Sequence, residues 1–109
     1  ILSHLISEGF LKEERFAIAY AGGKFRVKKW GKIKIKLALK NKKVSEPLIK
    51  KALGEISDGD YRKMLLKVIS GKEKLVKETD PYKRKYKIAS YAISRGFEPA
   101  LVWEVLGEE

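Results

Sequence analysis

The chain has 109 residues, of which 25 are Lys or Arg and 14 are Asp or Glu, so it carries +11 at pH 7 with a pI near 9.8. A hydrophobic content of 44% supplies a core and excludes wholesale disorder, while the absence of Cys excludes a disulfide framework, a thiolate nucleophile and a Cys-type zinc site. No apolar run approaches the length of a membrane-spanning helix and no signal segment opens the sequence, so membrane insertion and secretion are not expected and a reducing, cytoplasmic setting is.

In chain order, Ile1, Leu2, Leu5 and Ile6 recur at helical spacing and Gly9 follows as a stop, so residues 1–8 read as the tail of a helix whose beginning lies in a longer protein. A helix over 12–28 starts with Glu13 and Glu14 at the positive end of its macrodipole and presents Phe16, Ala17, Ala19 and Tyr20 as its apolar stripe. Gly22 and Gly23 should weaken it by roughly 1 kcal/mol each relative to Ala, so either it ends there or a neighbouring backbone packs close. Lys32 to Leu37 alternates with period two, the pattern of a half-buried strand. It reads as helix over 32–43 because the alternation collapses at Ala38-Leu39 and no partner strand exists elsewhere to satisfy its edges. Two apolar stripes then result, Ile33 with Leu37, and Ile35 with Ala38 and Leu39, each expected to meet a neighbour. Ser45-Glu-Pro opens a helix over 46–56, with Ser45 as N-cap and the proline where a missing N–H costs nothing. Further helices are expected over 59–78, interrupted or kinked at Gly71, over 81–95 after Asp80-Pro81 and before Gly96 as C′ residue, and over 98–107.

A shift of 53 residues lays Leu48-Ile-Lys-Lys-Ala-Leu-Gly-Glu on Leu101-Val-Trp-Glu-Val-Leu-Gly-Glu, and places Val44 on Phe97, Ile35 on Ile88 and Leu39 on Ala92. The fold class is therefore all-α, with tandem three-helix repeats stacked in an elongated array: residues 1–9 as the end of a preceding repeat, 10–57 as a basic repeat and 58–109 as a C-terminal one.

The charge is local. Eleven cations and no carboxylate lie between Arg15 and Ser45: Arg15, Lys24, Arg26, Lys28, Lys29, Lys32, Lys34, Lys36, Lys40, Lys42 and Lys43. The remainder of the chain sums to zero. Such a block interleaved with Phe25 and Trp30 is the footprint of a polyanion-facing surface, whereas a solvated helix face would spread its charge to limit repulsion. At 100° per residue Lys32, Lys36, Lys40 and Lys43 share one face of their helix, away from Ile35 and Ala38. Trp30 admits two readings, an exposed ring that stacks on a base and a core lid over Ile33. Trp103 reads as packing, and Tyr82, Tyr86 and Tyr91 as core and rim.

Nothing supports an enzyme. His4 is the sole histidine, too little for a metal site or a triad, and no cofactor is indicated. Ala21-Gly-Gly-Lys-Phe and Ser70-Gly-Lys-Glu resemble phosphate loops only faintly, lacking the spaced first glycine and trailing hydroxyl of a Walker motif.

Three segments resemble the RecX family of RecA regulators: Glu8-Gly-Phe-Leu-Lys-Glu-Glu-Arg-Phe-Ala, the run from Lys24-Phe-Arg-Val-Lys-Lys-Trp-Gly-Lys-Ile-Lys-Ile to Lys40-Asn-Lys-Lys-Val, and the closing Ser-Arg-Gly-Phe with Leu-Val-Trp-Glu-Val-Leu. Together they span nearly the whole chain, which is similar to repeats two and three of that family plus the end of repeat one. It departs from the family pattern at Lys43, where a glycine commonly precedes the apolar residue, and at Ala38, where a Glu is common. The resemblance implies a protein with no catalytic site of its own that binds in the groove of the RecA filament on single-stranded DNA and interferes with filament growth, ATP hydrolysis and strand exchange; a monomer is expected. The residues expected to meet RecA and DNA phosphates are Arg15, Lys24, Arg26, Lys28, Lys29, Trp30, Lys32, Lys36, Lys40 and Lys43. A general nucleic-acid-binding helical module without a filament-specific partner is the alternative, and a basic module facing an acidic protein a third.

Overall fold

The computed structural model describes residues 2–108, with side chains described for residues 12–107. Among these are six helices and no strand: α1 Leu2–Arg26, α2 Lys32–Asn41, α3 Glu46–Gly54, α4 Asp58–Glu73, α5 Pro81–Ser94 and α6 Pro99–Glu108. They form an elongated body of 65 × 24 × 22 Å. The alternating segment from Lys32 is helical, because Ile35 and Leu39, four apart, both lie in the core.

α1 packs on α3 and α2, α2 on α3, α4 on α5, and α5 on α6. Ala17 and Ala21 let α1 approach the face of α3 that carries Leu48, Ile49 and Ala52. In the second unit Leu65 and Ile69 of α4 meet Ile88, Ala89 and Ala92 of α5, and Val102, Val105 and Leu106 close the core from α6. One aromatic series joins the two cores. Tyr61 lies 5.9 Å from Phe25 and 5.1 Å from Phe97 between ring centroids, and all three are buried.

The 53-residue register holds in three dimensions. Glu46 of α3 corresponds to Pro99 of α6, and the last residue of α2, Asn41, to the last of α5, Ser94. Each of these helices ends in the same motif: the Val44 N–H bonds the Leu39 carbonyl and the Lys43 N–H that of Lys40, while the Phe97 N–H bonds Ala92 and the Gly96 N–H bonds Ile93. The motif needs a left-handed residue at its turn. Gly96 supplies one at φ +100°, and Lys43 adopts φ +62° in the equivalent place, so the turn forms despite the missing glycine at a cost of about 1 kcal/mol.

Some expectations are corrected. Gly9 does not stop a helix, since α1 runs unbroken from Leu2 to Arg26. α1 passes through Gly22 and Gly23 as the 12–28 span expects, although a methyl group there would meet only the Arg26 side chain and no neighbouring backbone. With Gly71 inside an uninterrupted α4, both phosphate-loop resemblances fall within helices. α4 ends at Glu73 rather than 78, because the Arg84 guanidinium takes the Glu73 and Val76 carbonyls at 2.8 and 2.9 Å and caps the helix there. Ser45 occupies the N-cap position without a side-chain cap bond, whereas Ser57 and Asp80 do accept from the backbone of their helices. The side chain of His4 lies outside the described ones.

The two units meet backbone to backbone. The Gly31 N–H bonds the Arg95 carbonyl at 2.8 Å, the Ile33 N–H bonds the Gly96 carbonyl at 3.0 Å, and the Lys32 N–H bonds the Tyr61 hydroxyl at 2.9 Å. A methyl group on Gly31 would sit 2.2 Å from the Gly96 carbonyl carbon and the Phe97 nitrogen. Gly31→Ala should therefore destabilise the fold by several kcal/mol, beyond the usual range for a point substitution. Lys43→Gly should stabilise it by about 1 kcal/mol by relieving the left-handed lysine. Urea unfolding followed by circular dichroism reads both. Burial, with a hydrogen bond to Glu98 adding, pushes the Tyr61 hydroxyl far above its ordinary pKa, so it stays protonated, donates to Glu98 Oε1 and accepts from Lys32. Tyr61→Phe strands both partners and should cost about 1–3 kcal/mol, lowering the melting temperature by roughly 4–8 °C per kcal/mol. An unchanged melting temperature would contradict this bridge.

Candidate nucleic-acid interface

The cations named from sequence do not all stand in one environment. Arg15, Arg26, Lys28, Lys29, Lys36, Lys40, Lys42 and Lys43 are exposed, whereas Lys24, Lys32 and Lys34 are half-buried. Each half-buried lysine lies over an aromatic ring. Lys24 and Lys34 place their Nζ atoms 5.0 and 4.8 Å from the Trp30 centroid, and Lys32 lies 4.8 Å from that of Tyr61. Lys24 also reaches Tyr20 at 5.4 Å, as does Lys42 at 5.5 Å. Trp30 is thus a half-buried ring packed against the core, with two ammonium groups over it. A cation–π contact at a partly exposed site contributes about 0.5–1 kcal/mol and leaves the charge in place. The result is a ribbon on α1 and α2 in which Lys42, Tyr20, Lys24, Trp30 and Lys34 follow one another, its cations restrained by rings and not neutralised.

Lys32 departs from the face expected for it. Its amide caps on Tyr61 and its ammonium covers the same ring, so it belongs to the unit junction, while Lys36, Lys40 and Lys43 remain on the exposed side of α2. Ile33 and Leu37 also depart, because they stand 41% and 58% exposed and no neighbour among the described residues covers that stripe. It lies beside the exposed lysines of α2.

Among the described residues, the block's one ion pair joins Lys40 to Glu46 at 3.0 Å. The hydrogen bond from Lys40, with its charge and that of Lys36 adding, holds the Glu46 carboxyl below the usual range. No other cation of the block has a carboxylate partner among the described residues. No group of three or more His, Cys, Asp or Glu that could hold a metal occurs among the described residues, and no described helix is long and apolar enough to cross a membrane.

Sequence reasoning missed Arg95 and Tyr61. Arg95 donates from Nη2 to the Lys28 carbonyl and so ties the loop that carries Lys28 and Lys29 to the C-terminal unit. Its signal in sequence was only the cation before a C′ glycine. Tyr82, Tyr86 and Trp103, assigned to packing or rim, stand 87%, 65% and 43% exposed.

Residues 13–53 match the family model of the RecX second three-helix domain, and residues 60–106 that of the RecX third three-helix domain. A "Regulatory protein RecX" from Clostridium acetobutylicum is 32% identical over 114 aligned residues, covering 99% of this chain and 51% of that protein. Another protein of that name, from Chlorobium phaeobacteroides, is 32% identical over 107, covering 98% of this chain and 68% of that protein. The chain therefore spans about half to two thirds of these curated relatives. No solved structure matches it. With the two domain matches falling one on each three-helix unit and the relatives aligned from end to end of the chain, the protein belongs to the RecX family.

Proposed function

We propose that this chain is a regulator, not an enzyme, that acts in the cytoplasm on the RecA filament assembled on single-stranded DNA and inhibits its ATPase and recombinase activity. Residues 10–57 form the basic unit that meets the filament, 58–109 the unit that braces it, and 1–9 the end of a preceding unit. One observation carries the reading: a block of eleven cations with a single ion pair among the described residues, in a chain whose relatives are named regulatory proteins. The contacts assigned to RecA and DNA phosphate are Arg15, Lys24, Arg26, Lys28, Lys29, Trp30, Lys36, Lys40 and Lys43, with Lys32 contributing its field from the junction.

Lysines provide charge without base readout, so they track a phosphate backbone irrespective of sequence. Their combined field sets the encounter with a phosphate-rich filament. The ring-held pair on Trp30 is already ordered, which lowers the entropy lost on docking. The exposed Ile33–Leu37 stripe between cations gives a surface that a protein filament can cover and bare DNA does not require, favouring the filament over the general DNA-binding alternative.

Two outcomes are expected. Affinity for single-stranded DNA should fall steeply with salt, the slope of log K against log salt being about −0.7 per phosphate contacted. A flat dependence would remove the phosphate role. Reversing the exposed Lys28, Lys36 and Lys43 to Glu should abolish inhibition of RecA ATPase, whereas reversing Lys12, Lys50 and Lys74, equally exposed but outside the block, should leave most of it. Both variants should keep the helical circular-dichroism signal, since exposed charges typically change stability within about 0.5 kcal/mol each. Equal inhibition by the two variants would contradict the assignment. Inhibition at amounts well below those that cover the DNA would separate filament regulation from simple competition.

A further inference from the structure

Three hollows adjoin across the exposed face of α5. The first, about 450 Å³, lies between Tyr82, Tyr86 and Trp103, with Lys83 and Lys85 at its rim. The second, about 820 Å³, shares Tyr86 and Lys87 with the first and extends between α5 and the end of α4, past Lys72 to Tyr91. The third, about 230 Å³, shares Lys72 and Tyr91 with the second and ends at Lys29 and Arg95, the junction with the basic unit. A single track therefore crosses the C-terminal unit from α6 and runs into the cationic block.

Its lining alternates two chemistries. Tyr82 and Tyr86 are four residues apart on one ridge of α5, 87% and 65% exposed, with Trp103 facing them from α6. No core contact accounts for such exposure of three large rings. The cations are Lys83, Lys85 and Lys87, then Lys77 and Lys72, the latter with its Nζ 4.8 Å over the Tyr91 ring, then Lys67, Lys29 and Arg95. Arg95 keeps a buried Nε without a partner at that end. The one carboxylate in the lining, Glu78, is already engaged by Lys87 at 3.3 Å and by the Asp80 N–H at 3.2 Å.

We propose that this track is a second binding surface, for single-stranded nucleic acid, in which bases stack on Tyr82, Tyr86 and Trp103 while phosphates follow the lysines toward Lys29 and Arg95. Exposed rings interleaved with cations meet the two repeating features of a single strand, its unpaired base faces and its charged backbone. A duplex buries those base faces in its own stack. An acidic peptide would use the cations and leave the rings idle. The inference does not rest on the RecA reading, because its rings and all its cations but Lys29 are other residues and its strand is free of RecA.

The test uses the whole chain, without RecA, and two probes of equal length: an oligodeoxythymidine and its abasic counterpart with the same phosphates. Replacing Tyr82 and Tyr86 by Ala should weaken oligodeoxythymidine binding by about tenfold or more and leave binding of the abasic strand unchanged. Tyr82→Phe with Tyr86→Phe should restore affinity, since a phenyl ring still stacks. In a Trp30→Phe protein, Trp103 is the sole tryptophan, and its emission should be quenched by the oligodeoxythymidine but not by the abasic strand. Equal affinity of the native chain for the two probes, or an unresponsive Trp103, overturns the proposal. Loss of RecA inhibition on reversing Lys28, Lys36 and Lys43, with no response at Trp103, would leave the regulatory reading standing and sink this one.

Discussion

The structure depends on a contact between two glycines. At the start of α2 the backbone of Gly31 lies against Gly96 and Phe97 with no room for a side chain, and the first amides of α2 donate to the carbonyls of Arg95 and Gly96. A helix N-terminus normally finds its hydrogen-bond partners in its own N-cap side chain or in water. Here Gly31 offers no side chain, and the cap is the turn after α5, which belongs to the other unit. The basic unit thus completes its second helix only by docking on its neighbour.

Several features follow from that contact. Tyr61 can reach the Lys32 amide because α4 starts beside the junction, and its ring then spans Phe25 and Phe97 so that two small cores become one. Arg95 holds the Lys28 carbonyl, which fixes the loop where Lys29 takes a left-handed conformation at φ +58° and turns the chain from α1 into α2. The orientation of the cationic block against the C-terminal unit is thereby set by backbone hydrogen bonds and buried rings, which salt does not screen as it screens surface charge. The cations of the block therefore keep their spacing while the strength of their field responds to ionic conditions.

The helices and their order were legible because their signals are local. Pro47, Pro81 and Pro99 sit in the first turns of α3, α5 and α6, and the 53-residue register was visible in Leu48 to Glu55 against Leu101 to Glu108. The basic block could be named residue by residue, because charge runs are read directly. What could not be read were the contacts between units. Lys32 looked like a surface lysine and Tyr61 like one more apolar residue, since nothing in either neighbourhood announces a hydroxyl that bridges an amide to Glu98. Gly9 suggested a helix end, yet α1 passes through it, and at Gly22 and Gly23 the burial of Ala17, Ala21 and Phe25 on the same helix offsets a propensity deficit of roughly 1 kcal/mol per glycine. The exposed Tyr82 and Tyr86 were misjudged for a related reason: aromatic residues are buried often enough that spacing alone favours the core.

The most direct test of this arrangement is native-state amide hydrogen exchange at Gly31, Lys32 and Ile33. In a helix without a neighbour these first-turn amides would be free and would exchange close to the rate of an unstructured chain. If the C-terminal unit caps α2 as described, all three should be protected to a degree approaching that of core amides such as Leu39, and should open together with Gly96 and Phe97. Fast exchange at Gly31 and Ile33 beside a protected Leu39 would show the units to be undocked in solution and would contradict the account.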